Sequence, residues 1–70
     1  MSTIRIGNFA RIAQVSTRAL RLYDKLGLLK PALVDPATDY RYYSIEQLPR
    51  LNRILALKDL GFSLEQIAEV

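Results

Sequence analysis

Seventy residues make one small domain, about half the common ~100–150-residue size, and although half of them are hydrophobic no apolar run approaches the about 20 residues of a transmembrane helix. Cysteine and histidine are both absent, which removes disulfides, thiolate metal ligands, thiol catalysis and the commonest general base, and with them most enzyme readings. The net charge of +3 is uneven: residues 1–43 hold seven bases and three acids, whereas 44–70 hold three bases and four acids, so the basic excess lies in the N-terminal part.

Met1 to Arg11 lacks the apolar segment of a secretory signal, and a cysteine-free chain fits a reducing compartment, so a cytoplasmic address is expected. Ile4 to Ile6 is a brief β-branched stretch. From Asn8 to Val15, apolar residues at Phe9, Ile12, Ala13 and Val15 recur at helical spacing and leave Arg11 and Gln14 outside, which predicts a short helix over 7–14. Ser16 is placed to cap a second helix that Gly27 ends, and only the Val15-Ser16 corner separates the two. Two short helices on a tight corner predict a helix-turn-helix. At 100° per residue, Ala19, Leu20, Tyr23 and Leu26 share the inward side of the second helix, while Thr17, Arg18, Arg21 and Lys25 form an outward row with no acid in it.

Ala32-Leu33-Val34 and Tyr40-Arg41-Tyr42-Tyr43 flank the turn residues Asp35-Pro36-Ala37-Thr38-Asp39, the pattern of a two-stranded β-hairpin with a polar tip, a wing. Alternation sets Tyr40 and Tyr42 on one face and Arg41 and Tyr43 on the other. Tyr40 and Tyr42 are expected to cover the core and Arg41 to stand at an exposed edge, with Tyr43 open to either role. Ser44-Ile45-Glu46-Gln47 is a capping box for a third helix, which runs on Leu48, Leu51, Ile54, Leu55, Ala56 and Leu57 to Leu60 and stops at Gly61. Pro49 would remove a hydrogen bond from that helix, so a kink or a late start is expected. Ser63-Leu64-Glu65-Gln66 opens a fourth helix that has run about two turns when the chain reaches Val70.

The outward row on the second helix has donors suited to phosphate oxygens and base edges in a major groove. A solvated helix face is the plainer reading of such a row, but here a basic hairpin follows at once, and two cationic elements can straddle one duplex. Arg41 between tyrosines has the fork geometry of a phosphate clamp. Phe9, Phe62 and the leucines read as core, with no cofactor box. Asp35 and Asp39 are too few for a cation site, and Asp35-Pro36 reads as turn chemistry. Thr3, Ser16, Ser44 and Ser63 have no histidine base, and the three serines read as caps, so neither a catalytic nor a metal site is expected.

The stretches IGNFARIAQVSTRALRLYDKLGLLKP, VDPATDYRYYS and LPRLNRILALKDLGFSLEQI together resemble the N-terminal DNA-binding domain of MerR-family transcription regulators over essentially all 70 residues. The resemblance implies a mainly α fold, a winged helix-turn-helix of about four helices with a two-stranded wing. It divides residues 1–70 into a helix-turn-helix over 1–27, the wing over 28–43 and a supporting helix pair over 44–70. It implies sequence-specific binding of double-stranded DNA for transcription regulation, the second helix in the major groove and the wing on the backbone. The family's DNA-contacting places fall on Thr17, Arg18, Arg21, Tyr23, Arg41 and Lys58.

Family members act as dimers on a palindromic promoter element and engage RNA polymerase indirectly, by distorting the duplex. The resemblance therefore implies no enzyme, no cofactor and no membrane, and a cytoplasmic, nucleoid-associated protein. Neither the family's dimerisation helix nor its effector domain is expected in these 70 residues, so the chain is expected to be monomeric. The wing spelling is similar to the drug-sensing branch rather than to metal sensors. Leu22 stands where many relatives carry an aromatic residue, Asp39 replaces a frequent glycine, and Pro49 is unusual. A protein-interaction module on the same fold, or a small stand-alone homologue that modulates another regulator, is the alternative function, and salt dependence of DNA binding separates the two.

Overall fold

The computed structural model describes residues 3–69; Met1, Ser2 and Val70, the last of which the sequence reading places in the fourth helix, lie outside the described residues. In chain order these residues form β1 (Thr3–Arg5), α1 (Ile6–Ala13), α2 (Thr17–Lys25), β2 (Leu33–Val34), β3 (Arg41–Ser44), a 3-10 turn (Ile45–Gln47), α3 (Leu48–Asp59) and α4 (Leu64–Ala68). The four helices and the hairpin follow the sequence pattern. The hairpin, however, belongs to a three-stranded antiparallel sheet of order β1-β3-β2. The brief β-branched stretch supplies the extra strand, with Ile4 opposite Tyr43 and Arg5 opposite Tyr42. Without it, the backbone groups on that edge of β3 would be left unpaired.

Side-chain caps fix the helix starts. Ser16 Oγ accepts from the Ala19 N–H at 3.0 Å, and Ser63 Oγ accepts from the Gln66 N–H at 3.1 Å. At Ser44 the capping box opens the 3-10 turn, Gln47 Oε1 accepting from the Ser44 N–H at 2.8 Å. α3 proper begins only at Leu48, which places Pro49 in its first turn. The missing N–H there would have had no helical acceptor in any case, so the proline costs the helix little: the late start is realised and no interior bond is broken. α1 ends at Gln14 with φ 59°, a left-handed C-cap whose N–H bonds to the Ala10 and Arg11 carbonyls. Glycine is the usual occupant of that region, and nothing in the local sequence marks Gln14 for it.

Phe9 and Ala10 of α1, Leu20 and Tyr23 of α2, Leu28, Leu29, Tyr43, Leu51, Ile54 and Ile67 form the core. At its centre the Phe9 and Tyr43 rings stack with centroids 4.8 Å apart and planes 13° from parallel, joining α1 to the sheet. The alternation along β3 is as read, but the face that turns inward is the one carrying Arg41 and Tyr43. Tyr42 is half-buried and Tyr40 is 48% exposed, so the expected core role of Tyr40 and Tyr42 passes to Tyr43. Leu26 also departs from its inward assignment and is 41% exposed. Past the left-handed Gly27 (φ 77°) the chain doubles back, the Leu28 and Leu29 N–H groups bond to the Tyr23 carbonyl, and those two leucines fill the space under the helix end. Among the described residues no helix is long and apolar enough to cross a membrane.

The Tyr43 hydroxyl is buried without a hydrogen-bond partner among the described residues. Stranding a buried donor costs about 1–3 kcal/mol, so Tyr43→Phe is expected to stabilise the fold by about 1 kcal/mol, read as a higher Tm; a lower Tm would show that the hydroxyl is satisfied. Burial first, then the Asp24 carboxylate, raises the Tyr43 pKa, while Arg41 and Arg21 pull it down. In the unfolded chain the phenol ionises near pH 10, whereas the folded one keeps its proton to higher pH. Its share of stability is therefore full below about pH 10 and lost as pH rises through the folded value. Melts of Tyr43→Phe taken through that range should lack this share of the alkaline loss.

Candidate nucleic-acid interface

Leu20 and Tyr23 anchor α2 to the core, which leaves Thr17, Arg18, Arg21 and Lys25 exposed along its opposite side. The outward row is therefore present as a solvent-facing ridge. Tyr23 lies on the other side: at 1% exposure it is a core side chain, because it shares a helix face with Leu20. Leu22, 42% exposed, is an apolar neighbour of the ridge.

The acid of α2 faces the wing. Asp24 Oδ2 accepts from Arg41 Nε at 3.2 Å, and Asp24 Oδ1 lies 3.5 Å from Lys30 Nζ. The Lys30 side chain is 71% exposed, and its pair with Asp24 adds little. Arg41 and Asp24 are 23% and 18% exposed, and their hydrogen-bonded pair spans from α2 to β3. Arg41 is thus not a free cation at an exposed edge. It has the packing and pairing role denied to it by the sequence reading, because its face of β3 is the one that turns toward the helices. Behind the wing, Gln47 Nε2 donates to the Lys30 carbonyl at 2.6 Å and Arg50 Nε donates to the Leu28 carbonyl at 2.8 Å, tying the chain after α2 to α3.

At the wing tip Asp35 Oδ1 accepts from the Ala37 N–H at 2.9 Å, the turn chemistry read for Asp35-Pro36. Asp39 sits at φ 64°, in the left-handed region that favours glycine and that aspartate tolerates better than most residues. This is how Asp39 can stand at a position that the resemblance assigns to glycine. Among the described residues no three His, Cys, Asp or Glu are grouped to hold a metal. Lys58 is exposed in the last turn of α3, and no side-chain bond among the described residues joins it to α2 or the wing.

Between β1, α2 and the wing tip lies an open cleft lined by Arg5, Ile6, Arg21, Asp39, Tyr40 and Arg41. The structure brings Arg21 and Arg41 together here and leaves Thr17, Arg18 and Lys58 outside the lining. Arg5 escapes the sequence reading altogether. Its guanidinium carbon stands 4.3 Å from the Tyr40 ring centroid, a cation–π contact made possible by the pairing of β1 with β3. The one signal that bears on it is its place within the β-branched stretch, which would have to be recognised as a strand first.

Residues 4–70 match the model of the MerR HTH family of regulatory proteins. The chain belongs to the MerR HTH family. It is 52% identical over 62 residues to the multidrug-efflux transporter 1 regulator of Bacillus subtilis, covering 89% of this chain and 22% of that protein. The EcmrR–DNA complex in EcmrR-RPo, solved by cryo-electron microscopy, superposes with a TM-score of 0.85 at 39% identity, over 89% of this chain and 23% of that one. HiNmlR, a MerR-family regulator lacking the sensor domain and bound to promoter DNA, gives 0.80 at 32% identity, over 97% of this chain and 53% of the other. These matches are to regulators and not to enzymes, and this MerR-family chain spans 22% of the length of the efflux regulator.

Proposed function

We propose that the chain binds double-stranded DNA sequence-specifically and so forms the operator-reading part of a transcription regulator, with α2 in the major groove and the wing on the backbone. The observation that carries this is the ridge of Thr17, Arg18, Arg21 and Lys25, exposed while Leu20 and Tyr23 pin the opposite side of the same helix. In this reading Thr17 and Arg18, at the start of α2, face base edges; Arg21, Arg41 and Lys58 neutralise phosphates. Two relatives that superpose on the chain, HiNmlR and EcmrR, are in complex with DNA, which supports the same use of this fold.

The target is a palindromic promoter element read by two copies in a full-length protein. This chain alone covers one half-site as a monomer. RNA polymerase is engaged indirectly, through the shape imposed on the duplex, and the protein works in the cytoplasm on the nucleoid. The wing spelling and the identity to an efflux regulator favour a drug-responsive rather than a metal-responsive parent. A titration of duplex DNA against salt tests the reading. The two to three phosphates neutralised by Arg21, Arg41 and Lys58 give a slope of log affinity on log salt of roughly −2 to −3. A slope near zero would instead indicate an apolar protein interface.

A further inference from the structure

The ridge and the wing account for Arg18, Arg21 and Arg41 and leave Arg5 without a role. Arg5 ends β1 opposite Tyr42, and its guanidinium lies against the ring of Tyr40, two residues before Tyr42 and just ahead of β3. An aromatic face holds a guanidinium flat while leaving its edge donors free. Arg21 lines the same cleft from α2 and Arg41 from β3, so three separate elements each contribute one arginine to one opening. Among the described residues neither Arg5 nor Arg21 has a carboxylate partner, and Arg41 is held through Nε by Asp24. Asp39 is the acid in the lining, leaving three cations against one carboxylate. Like charges gathered this way repel one another unless an anion completes the group.

We infer that this cleft is a clamp for a single backbone phosphodiester, and that Arg5 is its third cationic ligand, contributed by β1 ahead of the two helices. A phosphodiester presents two unesterified oxygens that guanidinium forks can share, and its single negative charge offsets the one positive charge that remains once Asp39 and the Asp24 partner of Arg41 are both counted. The inference rests on the DNA-binding reading above and adds a contact to it. Free inorganic phosphate offers the same chemistry, so the test separates the two sources.

Binding of a mixed-sequence duplex is measured by fluorescence anisotropy between about 50 and 200 mM salt for the unaltered chain, Arg5→Ala, Arg5→Lys, Arg41→Ala and the Arg5→Ala/Arg41→Ala double variant. Arg5→Ala should flatten the salt slope by up to about 0.9, and Arg5→Lys should retain it. The double variant should lose less affinity than the product of the two single losses, because both side chains act on one phosphate. An unchanged slope in Arg5→Ala, equal flattening by Ala and Lys, or losses that simply multiply would overturn the clamp. Arginine Nε–H resonances titrated with inorganic phosphate at constant ionic strength should show no saturable shift; saturation would assign the cleft to a free anion and overturn it likewise. A flat slope for the unaltered chain would defeat the DNA-binding reading itself, whereas a normal slope untouched by Arg5→Ala removes the clamp alone.

Discussion

Phe9→Ala is expected to destabilise the domain by about 3–5 kcal/mol, the usual range for truncating a buried aromatic ring. Phe9 is fully buried, and its ring is the partner on which Tyr43 stacks, so the variant opens a cavity at the contact joining α1 to the sheet. A 70-residue domain has roughly 4–10 kcal/mol to lose, so the change removes a large share of it. Thermal melts should show a Tm lower by roughly 12–40 °C. A fall of only a few degrees would mean that the surrounding side chains collapse into the space and that the stack carries less than its burial implies. Because Tyr43 sits on β3 and β3 carries Arg41, the folded fraction of Phe9→Ala should also bind DNA more weakly.

Arg18→Ala and Arg41→Ala are expected to fail in different ways. Arg18 lies in the first turn of α2, where a groove-inserted helix meets base edges, and a bidentate arginine–guanine contact discriminates by about 1–3 kcal/mol. Its loss should weaken binding about 5- to 150-fold on a preferred duplex selected from a random pool, with a much smaller effect on mixed-sequence DNA. Equal losses on both would refute base reading. Arg41→Ala should weaken binding to every sequence and flatten the salt slope by about 0.9. It should also lower Tm, since it leaves the Asp24 carboxylate, 18% exposed, with only the solvent-exposed Lys30 as a charged partner. Arg41→Lys keeps the charge but not the fork, and should restore the slope more fully than the affinity.

What was legible in the chain was local. Ser16, Ser44 and Ser63 announce helix starts because a short hydroxyl side chain three residues before a free N–H has one obvious use. Gly27 and Gly61 mark the left-handed exits, at φ 77° and 100°, and Pro49 forces the late start of α3. What was not legible depends on residues distant in the chain. Alternation along β3 yields two sets of side chains but not which set faces inward; that choice follows from the Phe9 stack, which gives Tyr43, open to either role in the sequence, the core place expected of Tyr40. Three residues of β1 are too few for a periodicity, so the third strand and with it Arg5 went unseen. Arg41 acquires its partner from 17 residues upstream, which no local pattern reveals. For Tyr23 the helical wheel points to the buried side, and the side chain is 1% exposed.

Asp24, reaching from α2 to the wing, joins those two parts into one caliper. Opening its jaws would break the Asp24–Arg41 pair and shear the ladder between β1 and β3. When such a rigid gauge meets a duplex whose groove and backbone are spaced differently, the compliant member is the nucleic acid, and bending energy is stored there rather than in the protein. Selectivity would then extend to base pairs that no side chain touches, set by how readily each step yields.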